Sequence, residues 1–255
     1  MLFLKTIIMA NKQTTAYTYI FGLIMTVVVA FALAGFKTGT ADLAARNADI
    51  FNKREILATV ANPLADAGVD VGGLTDDQVE DIFNEQVESI VVNGQGEEVE
   101  GVTVDQIDLA KELKKPEAAR QYPLNILNLD GDSYYIFSVR GNGLWDAIWG
   151  NIALEGDMNT IAGASFDHAG ETPGLGAEIK DNDRWKAQFV GKQIYDGNEF
   201  VSVIVKKGGA TDPDHEVDGL SGATVTADGV TKMLWNGLKA YEPFIESKRR
   251  EQNSK

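Results

Sequence analysis

No charged residue occurs between Gln13 and Phe36, and from Ile20 to Phe36 the chain is almost wholly apolar. Nothing else in the sequence restricts folding as strongly. The run is close to the roughly 20 residues that a helix needs to cross the hydrocarbon layer of a membrane. Tyr17, Tyr19 and Phe36 stand near its ends, where aromatic belts form. A core helix suits the run poorly, because no polar stripe is present. A cleaved signal peptide is the competing reading, since Ala32-Leu33-Ala34 fits a small-x-small cleavage pattern. The run is longer than the usual signal-peptide core, and only Gly22 and Thr26 interrupt it, which favours a retained anchor. Gly22, Thr26 and Ala30 recur at four-residue intervals and suit a contact face with neighbouring membrane helices.

Lys5 and Lys12 precede the span, while Lys37, Arg46, Lys53 and Arg54 come after it, so the charge rule leaves orientation open. An anchor and a signal peptide both export the residues downstream of them, and the main domain is expected on the extracytoplasmic side. Met9 opens a second plausible start, and nothing rests on Met1–Ile8. The expected organisation is a cytoplasmic N-terminus (1–15), a transmembrane helix (16–36), a stalk helix (37–65), a main domain (66–247) and a polar C-terminal tail (248–255).

The chain of 255 residues carries a net charge of -15, and residues 1–36 hold two lysines and no acids. The exported part is therefore more acidic still. Such a surface argues against nucleic acid, which demands a basic footprint, and against docking on anionic lipid. The absence of cysteine removes thiol nucleophiles, thiolate metal sites, iron–sulfur ligation and disulfides. With only His168 and His215, a histidine-rich metal or haem site is not expected, and no metal site is predicted.

Residues 41–62 read as a helix stopped by Pro63. Thr75-Asp-Asp-Gln78 is a capping box, and Val79, Ile82, Phe83, Val87 and Ile90 behind it repeat at helical intervals. The acids Asp76, Asp77, Glu80, Asp81, Glu85 and Glu88 read as the wet face of that helix. Asn93-Gly94 and Gly96 mark a turn, and Val99 to Ile107 alternates weakly, as a strand does. From Tyr134 the pattern turns to β, through Tyr134–Val139, Leu144–Leu154, Thr160–Phe166 and Phe200–Val205. Thr226 to Glu246 reads as a helix with Val230, Met233, Leu234, Leu238 and Tyr241 on one face. Helices and strands are segregated, which predicts an α+β fold on a mostly antiparallel sheet with flanking helices.

Three stretches carry candidate chemistry. Asp218-Gly-Leu-Ser-Gly-Ala-Thr-Val-Thr226 leads into the last helix. The small residues Ser221, Gly222 and Ala223 let backbone N–H groups close around an anion, and the helix dipole favours negative charge there. On the residues alone, the favoured reading of Thr224 or Thr226 is a simple N-cap. A cap does not need the Ser-Gly-Ala run. The second stretch, Glu171-Thr-Pro-Gly-Leu-Gly176, is a surface turn or a glycine-lined loop over a flat ligand, with Thr172 and Leu175 in contact. The third is Gly141-Asn-Gly-Leu-Trp145, in which Trp145 suits either the wall of an aromatic ligand site or the core. Trp149 reads as core. Gly219-Leu-Ser-Gly222 is not a nucleophile elbow, because residue 223 is alanine. That weakens a membrane-anchored hydrolase using Ser221 or Thr224 with His168 or His215. A non-catalytic envelope binding module is the other alternative.

In this order and spacing, with a single N-terminal span, the three stretches resemble the C subunits of the Na+-translocating NADH:quinone reductases, a family with a covalently bound FMN. The resemblance covers nearly the whole chain and is tightest from Tyr134 to Leu238. It implies that residues 66–247 form an FMN-binding domain and that Thr224 carries FMN through a phosphoester. It further implies that Trp145, Thr172 and Leu175 lie beside the flavin, with Ser221, Gly222 and Ala223 completing the attachment motif. Implied partners are other membrane subunits of an electron-transport and sodium-transport complex in the bacterial inner membrane, and a flavin transferase that uses FAD during maturation. No Gly-x-Gly-x-x-Gly opens a βαβ unit, in keeping with a protein lacking its own nicotinamide site. The span holds no Asp or Glu, which argues against an ion path through it. The nearest rival is the G subunit of the ion-motive ferredoxin:NAD+ oxidoreductases, which shares the span and the threonine attachment.

Overall fold

The computed structural model describes residues 14–252. The alternative start at Met9, the Met1–Ile8 extension, Lys5, Lys12 and the last three residues of the tail lie outside the described residues. Contacts divide the chain into two units, one through Asp49 and one from Ile50 onward.

The first unit contains α1 (Thr15–Gly39) and the opening of α2 (Ala41–Thr59). At 25 residues, α1 is long and apolar enough to cross a membrane, and no residue of it is buried within the chain. The Thr26 hydroxyl donates to the carbonyl of Gly22 at 2.8 Å, so it needs no partner from the surroundings.

In the second unit, α2 does not run on to Pro63. It ends at Thr59, and α3 (Ala61–Asp66) begins after Val60. Pro63 sits in the first turn of α3, where its missing N–H breaks no helical bond. The expected capping box is present, with Gln78 N donating to Thr75 Oγ1 at 3.3 Å and Thr75 N to Gln78 Oε1 at 2.9 Å. The helix behind it, α4 (Asp76–Gln86), is shorter than the periodicity predicts. Val87 and Ile90 belong instead to β1 (Val87–Asn93), where β-branched residues pair with a neighbouring strand. The Val99–Ile107 strand does not form. Val99 N reaches Val91 O at 2.8 Å, but Gly101 then turns with φ 77°, and a single 3-10 turn occupies Val104–Gln106. A short α5 (Leu109–Glu112) comes next.

One antiparallel sheet of five strands carries the fold, in the order β1, β2 (Gln121–Leu129), β3 (Asp132–Asn142), β4 (Ala147–Leu154), β5 (Ile161–His168). After the sheet come the short helices α6 (Glu178–Asp181) and α7 (Asp183–Lys186) and a two-stranded pair, β6 (Tyr195–Asp196) with β7 (Glu199–Phe200). The expected single strand over Phe200–Val205 is interrupted at Ser202, whose φ is 58°. Val201 and Ser202 both direct their N–H to Ile194 O at 2.9 Å, a bulge that ends β7. β8 (Ile204–Lys206) then pairs in parallel with β9 (Glu216–Asp218). The long final helix is two, α8 (Thr224–Ala240) and α9 (Glu242–Gln252), parted at Tyr241.

Each face of the sheet has its own core. α8 lays Val230, Met233, Leu234 and Leu238 over Phe137, Val139, Ile148 and Ile152. On the other face Leu57, Val60 and Leu64 pack with Leu127, Ile136 and Ala153. The 37–65 stretch thus supplies core residues to the second unit. Tyr241 fastens the end of α8. Its buried hydroxyl reaches Pro123 O at 2.7 Å and Ser138 O at 3.1 Å, and its ring packs on Phe137 with centroids 5.0 Å apart.

Tyr241→Phe leaves both carbonyls without that donor and should cost about 1–3 kcal/mol in urea unfolding of the full chain. A second expectation concerns pH. Glu216, on β9, meets Lys206 Nζ at 2.6 Å and the N–H groups of Thr211 and Asp212. The Lys206 bond, then the Thr211 and Asp212 donors, pull its carboxyl from 4.5 down to about 2. Its folded value lies below the unfolded one, so its stabilisation is complete above about pH 4.5 and lost as the pH falls toward about 2. Urea midpoints should fall across that window, and Glu216→Gln should flatten the fall.

Candidate functional site

Antiparallel pairing puts the end of β3, the start of β4 and the end of β5 at one edge of the sheet. The loop 143–146 and the loop 169–176 therefore emerge side by side. The start of α8 meets them there. All three stretches singled out in the sequence converge on this edge, and a buried carboxylate joins them.

Glu171 is 5% exposed. It accepts from Leu144 N at 3.2 Å, Trp145 N at 2.9 Å, Asp146 N at 3.4 Å and Thr226 Oγ1 at 2.6 Å. Burial pushes its carboxyl upward, but the Thr226 bond and the three backbone donors outweigh it, and the net shift is downward. Its own N–H donates to His168 Nδ1 at 3.1 Å. Gly143 has no side chain because one would enter this cluster: a Cβ there would lie 2.6 Å from Glu171 Oε1.

Thr172-Pro-Gly-Leu175 is a tight turn, closed by Leu175 N donating to Thr172 O at 2.9 Å. Proline second and glycine third, with φ 78° at Gly174, make it type II. Glu178 ties the turn to α6 by accepting from the N–H groups of Gly174 and Gly176. Those bonds, the Gly174 one foremost, hold its carboxyl below the ordinary range. The turn lies against the Ser221–Ala223 stretch: a Cβ on Gly222, whose φ is 80°, would stand 2.6 Å from Gly174 O. Only glycine meets both demands at 222.

The two threonines at the head of α8 part company. Thr226 is fully buried, and its hydroxyl lies 2.6 Å from Glu171 and 3.2 Å from Leu175 O. Thr224 is half-buried, and its hydroxyl makes no hydrogen bond among the described residues. Neither is the N-cap. Ala223 holds that position, with no side-chain cap bond. The first turn of a 17-residue helix thus presents N–H groups and the positive end of its dipole with no side chain to satisfy them.

Trp145 is 66% exposed and so is not core, Leu175 is 40% exposed, and Thr172 is exposed. Val225, which the sequence did not single out, is 53% exposed. Each of the three converging stretches thus carries one large apolar side chain exposed to solvent. Trp149 is not core either. It is half-buried on the opposite sheet face, with the Arg140 guanidinium 5.6 Å from its ring. Ser221 and Gly222 are exposed and Ala223 is buried. Ser221 lines the rim of a depression of about 670 Å³ shared with Asp218, Arg184 and Gln188. β9 delivers the stretch to this place, and Trp185 Nε1 holds Asp218 O at 2.7 Å. His168 and His215 make no bond to Ser221 or Thr224 among the described residues; His215 Nδ1 lies 2.8 Å from Gln193 O. This leaves the hydrolase reading without a base. No group of three or more His, Asp or Glu that could hold a metal occurs among the described residues.

An open hydroxyl at an uncapped helix start suits a phosphate, and the exposed apolar side chains suit one face of a flat ring. Comparison with known proteins accords with this. The FMN-binding domain family matches residues 143–239. The chain is 32% identical to the C subunit of the Na(+)-translocating NADH-quinone reductase of Pseudomonas aeruginosa over 267 aligned positions, spanning 95% of this chain and 99% of that one. It is 42% identical to the C subunit of the Vibrio vulnificus enzyme over 151 positions, 58% of each chain. Among solved structures, the C subunit from Parabacteroides distasonis superposes with a TM-score of 0.69 at 38% identity, covering 80% of this chain and 95% of that one. Shewanella oneidensis NqrC gives 0.65 at 27% identity, covering 78% and 96%. With near-complete coverage of such relatives, and an FMN-binding domain lying on the converging loops, the chain belongs to the NqrC family, the C subunits of the Na+-translocating NADH-quinone reductases.

Proposed function

We propose that this chain is the FMN-carrying subunit of a bacterial inner-membrane complex that oxidises NADH, reduces quinone and exports Na+. Its main domain lies on the extracytoplasmic side, and its task is to relay electrons. The observation that carries the reading is the contrast at the head of α8, where Thr226 is consumed by Glu171 while Thr224 keeps a hydroxyl free of any bond among the described residues.

Thr224 Oγ1 supplies the oxygen of a phosphoester to FMN, and the uncapped amides of the first turn of α8 face the phosphate. Gly222 lets the Thr172–Leu175 turn close against this stretch. Trp145, Thr172, Leu175 and Val225 lie beside the ring. When bound, FMN supplies the electron-carrying chemistry, and the chain tethers it and tunes its surroundings. A tether also keeps the local cofactor concentration high. Attachment calls for a flavin transferase acting on FAD, and the open rim around Ser221 gives such an enzyme access. Residues 16–36 remain as the anchor and pack against other subunits through Gly22, Thr26 and Ala30. The ferredoxin-linked alternative has less support, since the relatives with long alignments are quinone reductase subunits.

Thr224→Ala should abolish flavin fluorescence in a denaturing gel when the full chain is co-expressed with a flavin transferase, while the circular dichroism of the fold persists. Fluorescence retained in that variant rejects the attachment site. Trp145→Ala should keep the covalent flavin but shift its absorption or midpoint potential, and an unchanged flavin would place Trp145 away from the ring.

A further inference from the structure

We infer that Glu171 is a positioning residue of the flavin site, whose carboxylate sets the place of Trp145 relative to Thr224 by holding the 144–146 loop and the first turn of α8 together. The inference rests on the proposed FMN site and adds to it a residue that does not itself form the attachment.

Hydrogen-bond polarity restricts what can occupy this pocket. All four partners of the carboxylate are placed as donors: three backbone N–H groups and the Thr226 hydroxyl. The three backbone N–H groups can do nothing but donate, so they need an acceptor on both oxygens of residue 171, whereas the Thr226 hydroxyl, also 3.2 Å from Leu175 O, can accept as well as donate. An ionised carboxylate fits. A glutamine does not, because its NH₂ would face donors. Burial makes this demand strict, since Glu171 is 5% exposed and water cannot substitute for lost acceptors. The downward shift of its carboxyl accords with a charge that stays in place at neutral pH.

Geometry gives those bonds a role beyond stability. Trp145 lies in the loop that Glu171 holds through consecutive N–H groups, and its ring is largely in solvent. Within the loop Gly143 N donates to Asp146 O at 2.8 Å, and the carboxylate ties the loop so closed to residues outside it. Thr226 is two residues beyond Thr224 on the same helical turn, and its hydroxyl makes the shortest of the four bonds. Glu171 therefore links the exposed ring to the attachment hydroxyl across segments far apart in sequence. Gly143 and Gly176 line the same cluster, and a Cβ on either would enter the carboxylate's space.

The test compares Glu171→Gln, Thr226→Val and Thr226→Ser with the wild-type full chain, each produced both without flavin and with a flavin transferase. In the flavin-free protein, amide exchange should quicken on the order of ten- to a hundredfold in Glu171→Gln at whichever side faces the new NH₂, Leu144 or the Trp145–Asp146 pair, the loss expected for hydrogen bonds to a charged acceptor. In the flavin-loaded protein, quenching of flavin emission by Trp145 should weaken in Glu171→Gln and Thr226→Val and return to wild-type in Thr226→Ser. Amides exchanging at the wild-type rate in a folded Glu171→Gln overturn the proposal. So does unchanged quenching despite faster exchange, which would reduce Glu171 to a purely structural role. If Glu171→Gln does not fold, the Thr226→Val and Thr226→Ser pair decides alone, on the same quenching criterion. A wild-type chain whose Thr224 proves bare on peptide mapping would sink the attachment reading instead, and the flavin-free exchange comparison would still judge the clamp.

Discussion

A carboxylate removed from water and ringed by hydrogen-bond donors governs the site end of this molecule. Glu171 belongs to the loop after β5, yet its four bonds go to the β3–β4 loop and to α8. Each backbone donor left without it would be a polar group stranded in a poorly hydrated pocket, at about 1–3 kcal/mol apiece. The loops that carry Trp145 and Leu175 keep those side chains in solvent, so hydrophobic packing of these residues does not hold them. Their order comes from this acceptor, from Glu178 on the 172–176 turn, from glycines at 143, 176 and 222 that let neighbouring groups approach closely, and from Gly174, whose φ of 78° the turn requires.

The sheet makes that arrangement possible. Antiparallel order brings the ends of β3 and β5 and the start of β4 to one edge, and α8 crosses one face of the sheet with an apolar stripe that begins at Ala227. Rigidity is thus concentrated behind the site, where Phe137, Tyr241 and Met233 are buried, while the rim keeps its side chains in solvent. On the reverse face, hydrogen bonds join Ser138 to Asn151 at 2.8 Å and Ser165 to Thr59 at 2.8 Å. Polar residues there are satisfied by neighbours on adjacent elements, and α2 is registered on the sheet by a bond as well as by packing.

Legibility in the sequence tracked the range of the interactions. Features set within a few residues were plain: the capping box at Thr75, the turn at Pro173-Gly174, the strand at Tyr134–Val139 and the apolar span. The α+β class came from their segregation. What depended on distant partners was not plain. Val87 and Ile90 fit a helical period and are claimed by β2 instead. β2 itself, with Pro123 inside it, gives no clean alternation. The break at Ser202 arises because Ile194 O draws two successive N–H groups. At the site, local chemistry reads Thr224 and Thr226 alike as caps and only the resemblance singles out Thr224, whereas in the structure burial and a bond to a residue 55 positions away set Thr226 apart. The triplet of loops was visible as motifs, whereas the carboxylate that joins them was visible only as one letter of one motif.

The apolar N-terminal helix has a consequence of its own. α1 is apolar on every side, and the one hydroxyl midway along it is spent on its own backbone. In a membrane, such a cylinder would feel little torque from the acyl chains, because it is similarly apolar whichever way it is turned about its long axis. Lipid can fix its depth but not its azimuth. Whatever direction the helix faces must be imposed by shape, and Gly22 and Ala30 offer the shallow side on which a second helix can seat closely.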